Sequence, residues 1–147
     1  GLATLIVNAI LSNQNQSTVD SLTLLHYMKI VLAEFPYLLA QYKIGSGKIF
    51  EKFLTNYTHW TYTDPDIIWG NLGDWISQKE LSDYDIITLS KVDDASRLFL
   101  RGQFSLHKNF PSLNSLWLNL TYMSPSSTLE LVKSIHHDLE TVTTSED

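Results

Sequence analysis

The chain contains 147 residues, of which 44% are apolar and 18% are charged, a balance that indicates one globular domain and excludes collagenous and disordered chains. A domain of this length buries roughly 70% of the surface that its unfolded chain exposes, so it needs no disulfide or structural metal to be stable. The absence of cysteine excludes thiolate zinc sites, iron-sulfur clusters and a cysteine nucleophile. We therefore expect an intracellular protein, cytoplasmic or nuclear, because reducing compartments do not favour disulfides.

The negative charge is concentrated in the middle of the chain. Ten basic and sixteen acidic residues give a formal net charge of -6, and the segment from Asp64 to Asp94 alone holds eight acids against two lysines. The rest of the chain is therefore neutral. A negative field repels polyanions, and the chain has no basic stripe to overcome it, so we expect no binding of nucleic acid.

The first two predicted helices are defined by local start and stop signals. The apolar run Leu2–Leu11 is about half the length needed to cross a bilayer, so it predicts a buried helix and no membrane span. After a polar break, Ser17 and Asp20 form a capping-box pattern that predicts the start of a second helix. That helix is expected to end at Phe35, because the ring of Pro36 disfavours helical geometry in the preceding residue.

Six further helices are predicted from apolar residues spaced three or four apart and from capping signals. In chain order they cover about residues 49–57, 64–76, 82–89, 93–100, 112–123 and 125–142. The fifth of these segments also shows the alternation of a strand, and we interpret it as a helix.

The predicted helix at 64–76 begins with Asp64 as the cap and Pro65 in the first helical position. Two glycines weaken this helix by about 1 kcal/mol each relative to alanine. Its buried stripe is expected to consist of Ile68, Leu72, Trp75 and Ile76. The stretch 58–63 before it is interpreted as connecting chain.

These elements predict an all-α fold in a single domain. Apolar helices joined by short loops fit either a helical bundle or a short α-solenoid, here of about six to eight helices. The helical domain is expected to cover residues 1–142, followed by a polar, acidic tail at residues 143–147.

Three patterns that resemble catalytic or ligand-binding motifs have simpler structural explanations. The glycine-containing segment 44–49 lacks the first glycine and the final hydroxyl of a phosphate-binding loop. The adjacent His136 and His137 point about 100° apart on a helix, so they cannot bind one metal ion by themselves. The acidic pairs at 64/66, 83/85 and 93/94 lie at predicted helix starts, where acids stabilise the helix dipole. We therefore predict no catalytic residue, no metal site and no cofactor.

Aromatic side chains are dense at the entry to the acidic segment. Six aromatic or imidazole rings lie between residues 57 and 75, and they include three of the four tryptophans. If partly exposed, these rings and the neighbouring acids form a groove that attracts lysine and arginine by charge and by cation-π contact. The predicted partner-binding residues are Trp60, Tyr62, Asp64, Asp66, Trp69, Asp74, Asp83 and Asp85. The alternative is that the rings fill the core between helices.

The sequence thus favours a non-catalytic protein-interaction module, an adaptor or scaffold, that presents an acidic, aromatic-rich surface to a basic or amphipathic partner segment. The first alternative is a structural subunit of a homo-oligomeric assembly or coat, in which the first helix and the leucine-rich stretch 113–120 pack against other copies of the chain. The second alternative is an enzyme that uses buried carboxylates with a divalent cation.

Overall fold

The fold combines helices with a small sheet. A computed structural model describes residues 1–12, 18–64, 66–68, 70–88 and 103–144. The helices are α1 (Leu2–Leu11), α2 (Ser21–Glu34), α3 (Ser46–Ile49), α4 (Leu72–Trp75), α5 (Gln78–Asp83), α6 (Pro111–Asn114) and α7 (Pro125–Thr144). The strands are β1 (His59–Thr63), β2 (Ile86–Thr88) and β3 (Phe104–Lys108). Turns of 3-10 helix occupy Pro36–Gly45, Glu51–Phe53, Leu116–Asn119 and Thr121–Met123.

The three long helices build the main hydrophobic core. Helix α2 packs against both α1 and α7. Apolar residues spaced three or four apart turn one face of each helix inward. The most deeply buried members of the core are Ile6, Ile10, Leu24, Met28, Val31, Leu38, Trp117 and Val132. Burial of a side chain of this size contributes about 1.5–3 kcal/mol, so this cluster supplies a large part of the folding free energy.

The predicted bounds of α1 and the predicted end of α2 are confirmed, but α2 begins at Ser21, about three residues later than the capping-box pattern of Ser17 and Asp20 predicted. Asp20 is itself the N-cap. The carboxylate of Asp20 accepts a hydrogen bond of 2.8 Å from the backbone N–H of Thr23, which satisfies one free donor of the first turn. Helix α2 ends at Glu34, immediately before the Phe35-Pro36 pair. The predicted last helix is also present as α7. Ser17 lies outside the described residues.

The sheet shows that the all-α prediction is wrong. Its three strands are antiparallel in the order β1-β3-β2, with β3 in the centre. His107 of β3 lies opposite Trp60 on one side and opposite Ile86 on the other. In β1, buried Trp60 and Tyr62 alternate with less buried residues, a period of two that a strand and not a helix places on one face. The domain is therefore mixed α/β, and it is neither a helical bundle nor an α-solenoid.

Residues that were expected to be connecting chain or helix form two of the strands. The stretch 58–63, predicted as connecting chain, contains β1. The helix predicted for residues 82–89 is wrong, because α5 ends at Asp83 and β2 follows. The helix predicted for 93–100 lies outside the described residues.

Three other predicted helices are shortened. In the described part of the segment 64–76, helix is confined to the four-residue α4, which contains Gly73 and follows Gly70, two weak helix formers. The segment 49–57 contains the last residue of α3 and one 3-10 turn. The segment 112–123 is split into α6 and two 3-10 turns. Isolated helices of this size are marginal, and α3 and α6 are stabilised by their contact with each other, whereas α4 has no buried residue.

One face of the sheet packs on the helical half of the molecule. We call it the core face, and it is formed by Trp60, Tyr62, Ser105 and His107. The Trp60 and His107 rings stack with their centroids 4.2 Å apart and an interplanar angle of 4°. The indole N–H of Trp60 donates a hydrogen bond of 2.8 Å to Oδ1 of Asn114 on α6. A Cβ atom on Gly47 would lie 2.5 Å from that oxygen, so α3 approaches the sheet closely because residue 47 is glycine.

Within the described residues, no single helix combines the length and the hydropathy needed to cross a membrane. The segments Ser21–Glu34 and Pro36–Ile49 reach the required length and composition only together, and a bend of 118° separates them.

Candidate binding groove

A groove of about 540 Å³ lies on the other face of the sheet, between the sheet and residues 67–68 and 70–80. We call it the groove. Its large apolar lining residues are Ile67, Ile68, Leu72, Trp75, Ile76, Ile87 and Phe104. Its polar lining residues are Glu80, Thr88 and Gln103. This volume and this predominance of apolar side chains are typical of ligand-binding clefts.

The floor of the groove is set by strand alternation. Successive side chains of a strand point to opposite faces of the sheet. Because Ser105 points to the core face, its neighbour Phe104 points to the face that carries the groove. Ile87 of β2 pairs with Leu106 of β3, which shares a face with Phe104. The side chains of Ile87 and Phe104 therefore line the same side of the sheet, and both contribute to the groove.

The wall formed by α5 is fixed to the sheet by polar contacts. Ser77 and Glu80 form a capping box, in which the Glu80 carboxylate accepts a hydrogen bond of 2.8 Å from the Ser77 N–H. The Nε2 atom of His59 on β1 lies 3.2 Å from the carbonyl oxygen of Leu81. The ammonium of Lys108 on β3 donates a hydrogen bond of 2.8 Å to the carbonyl oxygen of Ser82. Two strands thus hold the same short helix.

Two apolar lining residues of the groove are almost fully exposed. Ile68 is 96% exposed and Trp75 is 80% exposed. Both were predicted to lie in the buried stripe of a long helix, and that prediction is wrong because α4 contains only four residues and ends at Trp75. The side chains that would have filled a helix-helix contact therefore remain accessible beside an open cavity.

The acids around the groove fall into a paired and an unpaired set. Asp64 forms an ion pair with Lys43, Asp83 with Lys79, and Asp85 with Lys108. In the described part of the chain, the exposed Asp66 and Asp74 have no ion-pair partner. Asp66 directly precedes the groove residue Ile67, and Asp74 directly precedes the groove residue Trp75.

Two acids near α5 have lowered pKa values that reflect helix structure. Backbone and side-chain hydrogen bonds from Ser77 lower the pKa of Glu80. A hydrogen bond from Lys79, followed by one from Ser82, lowers the pKa of Asp83. Both shifts stabilise the ionised form of these carboxylates and reflect the local hydrogen bonds of α5.

The structure separates the predicted partner-binding residues into three groups. Trp60 is 6% exposed and Tyr62 is 8% exposed, so the expectation that these rings are partly exposed is wrong. Both lie on the core face of β1, where Trp60 bonds to Asn114 of α6 and lies against Gly47 of α3. Of the five predicted aspartates, Asp64 is partly buried and the other four are exposed. Trp69 lies outside the described residues.

The core face also contains a serine-histidine contact that is inaccessible. The Ser105 hydroxyl lies 2.9 Å from Nε2 of His107, a distance that suits a nucleophile and its base. Ser105 is 0% exposed, however, so no substrate reaches it in this structure. Burial lowers the pKa of His107 to about 4, which keeps the imidazole neutral near pH 7.

Neither a metal ligand set nor the groove floor follows from the sequence pattern. Among the described residues, no group of three histidine or acidic side chains is close enough to hold a metal ion. Ile87 and Phe104 were not recognised as site residues, because the pairing that places them together joins distant parts of the chain. The alternation in residues 104–108 was the available signal for β3.

Comparisons with known proteins concern the sequence as a whole. No curated protein and no solved structure matches the chain. A family model described as "Family of unknown function (DUF6625)" matches residues 17–143. That range contains the sheet, the groove and the described helices α2 to α7 except the last residue of α7. The match covers well over half of the sequence, and the chain therefore belongs to the DUF6625 family.

Proposed function

We propose that this domain is a protein-interaction module that binds a basic or amphipathic segment of a partner in the groove, without catalysis. This assignment moves the binding surface away from Trp60 and Tyr62 to the side chains around Trp75. The exposed pair Ile68 and Trp75, beside a 540 Å³ cavity, is the observation that supports it most strongly. Burial of exposed apolar surface lowers the free energy by about 25 cal/mol per Å², so a partner that covers these side chains gains binding free energy.

The shape of the groove favours an apolar anchor as the central contact. Binding energy at protein interfaces is concentrated in a few side chains that enter well-packed pockets, and tryptophan is a frequent contributor. An aliphatic or aromatic side chain of the partner would enter between Trp75 and the sheet residues Ile87 and Phe104. The indole of Trp75 would then be covered on the face that now contacts solvent.

The charge of the groove edge favours a basic partner. Asp66 and Asp74 lack ion-pair partners in the described part of the chain, and lysine or arginine residues next to the anchor would supply them. Like charges across an interface suppress binding, so an acidic segment is disfavoured. Arginine would in addition stack on the exposed indole by cation-π contact.

The first experiment measures binding of designed peptides by fluorescence anisotropy. The probes are a labelled amphipathic peptide of leucine and lysine and its counterpart of leucine and glutamate. We expect saturable binding of the lysine peptide alone, and Trp75→Ala should weaken it at least tenfold, equivalent to about 1.4 kcal/mol. Tyr37→Ala is the matched control, because Tyr37 is equally exposed but lies outside the groove lining. Equal affinity in Trp75→Ala and wild type would contradict the proposal.

The second experiment reverses charge at the edge of the groove. In the double variant Asp66→Lys/Asp74→Lys we expect weaker binding of the lysine peptide and stronger binding of the glutamate peptide. The control is Glu130→Lys/Asp138→Lys, which makes the same change in net charge on exposed positions of α7. If both double variants change the peptide affinity by the same amount, the effect comes from the net charge of the protein. Asp66 and Asp74 would then not contact the peptide.

A further inference from the structure

The outer edge of β1 offers backbone hydrogen-bonding groups that have no partner among the described residues. The backbone N–H of Asn109 donates a hydrogen bond of 2.8 Å to the carbonyl oxygen of Thr58, in the register that continues through β1 and β3. Ladder bonds of an antiparallel pair alternate along each strand, so Trp60 and Tyr62 also bond toward β3. The backbone groups of His59, Thr61 and Thr63 therefore point away from β3.

This edge is unpaired in the described structure. Within the described ranges, no backbone hydrogen bond involves the outward N–H and C=O groups of His59, Thr61 or Thr63. Thr61 at the strand centre is exposed. Natural proteins protect such edges with lysine, proline or a bulge, and β1 contains none of these over its five residues.

We propose that β1 pairs with β1 of a second copy of this chain, antiparallel about a two-fold axis at Thr61. In this register Thr61 lies opposite Thr61 of the partner subunit, and His59 lies opposite Thr63 of the partner subunit. Three hydrogen-bonded residue pairs form, because residues 59, 61 and 63 all present outward groups. The contact is isologous and closed, as in most homodimers, and it joins the two sheets into one of six strands.

The composition of β1 makes a second copy the best-fitting partner strand. The strand contains no lysine, arginine or acid, so its self-pairing places no like charges opposite each other despite the net charge of -6. Threonine opposite threonine at the axis is a favourable cross-strand pair. Trp60 of one protomer also comes next to Tyr62 of the partner subunit on the core face. A single strand pair is a small interface, so the dimer forms in a concentration-dependent way.

The first test is directed disulfide formation, for which this chain is well suited because it contains no cysteine. In a hydrogen-bonded antiparallel pair the Cα atoms are about 5.5 Å apart, within the range that a disulfide spans. Under mild oxidation, Thr61→Cys should give a covalent dimer of twice 16.8 kDa. Thr121→Cys is the control, because Thr121 is exposed but lies in a 3-10 turn outside the sheet. Equal dimer yields from the two variants would overturn the proposal.

The second test follows the molar mass by sedimentation across a concentration series. Thr61→Pro removes the backbone N–H that points away from β3 and keeps every hydrogen bond between β1 and β3. We therefore expect the variant to fold, while its β1 can no longer pair with β1 of a second copy. Thr61→Val is the control, since it also removes the Thr61 hydroxyl bond to the Ser105 carbonyl but keeps the N–H. We expect the mass of wild type and Thr61→Val to rise toward twice 16.8 kDa, and Thr61→Pro to stay monomeric.

Three outcomes of these tests would overturn the two-fold pairing. The first is a wild-type mass that stays at 16.8 kDa at every concentration. The second is association in Thr61→Pro equal to wild type. The third is loss of association in Trp75→Ala, which would place the contact in the groove. If Thr61→Pro does not fold by circular dichroism, the cysteine result decides.

Discussion

The core built by α1, α2 and α7 and the groove wall around α4 contain similar side chains in opposite environments. Leu24 and Met28 are wholly buried, whereas Ile68 and Trp75 are among the most exposed large apolar residues of the described chain. The core helices are 10, 14 and 20 residues long, and α4 has four. A long helix presents a continuous apolar face that neighbouring helices cover, and a single turn cannot. The comparison indicates that the core stabilises the fold and the groove is available for binding.

Truncation of one side chain in each region gives the largest expected difference. Met28→Ala leaves a cavity in the core and should lower the free energy of unfolding by about 2–5 kcal/mol. Ile68→Ala should change it by no more than about 0.5 kcal/mol, because the side chain already faces water. Urea unfolding measures both values. A large loss in Ile68→Ala would show that the groove wall is part of the folding core.

The burial of His107 on the core face predicts that the free energy of unfolding depends on pH. Its pKa is about 4 in the folded protein and about 6.5 when unfolded, so the unfolded chain binds the proton more tightly. Stability is therefore full above pH 6.5 and is lost as the pH falls toward 4, by up to about 3 kcal/mol.

Urea unfolding at several pH values between 7.5 and 4.5 checks this slope. His107→Gln should reduce the slope, since glutamine does not titrate. His137→Gln is the control for the loss of a histidine, because His137 is exposed on α7. An identical slope in wild type and His107→Gln would mean that other groups cause the dependence.

Gly47, where α3 packs on the core face of the sheet, and Gly70, at the groove, provide a smaller contrast between a packed and an open position. A Cβ atom at residue 47 would clash with Asn114 and Trp60, so Gly47→Ala should destabilise the fold by about 1–3 kcal/mol. A Cβ atom at residue 70 meets nothing within 4 Å, and Gly70→Ala should be neutral or stabilise by up to about 1 kcal/mol. Thermal unfolding of the two variants measures the difference. Equal destabilisation would contradict the close packing of α3 on the sheet.

The candidate site could be predicted only in part. The clustering of charge in the sequence predicts Asp66 and Asp74 as surface groups, and both are exposed beside groove-lining residues. Trp75 was predicted to be buried, so its place in the groove did not follow from the sequence. The assignment of Trp60 and Tyr62 to the surface failed, since residues of a strand are exposed or buried according to what covers each face. That covering is provided by α3 and α6, which the local sequence of β1 does not encode.

The sequence by itself determined the elements whose signals are local. The apolar run Leu2–Leu11, the stop at Pro36 and the apolar spacing of residues 125–142 are each contained within a few turns of helix, so α1, the end of α2 and α7 were predictable. The tertiary structure alone decided the sheet and the groove. Thr61 of β1 and Ser105 of β3 are 44 residues apart, and their contact depends on the free energy of bringing distant segments together. A local sequence pattern contains no information about that free energy. For this reason Trp60 and Tyr62, expected at the surface, are buried, whereas Ile68 and Trp75, expected in the core, are exposed.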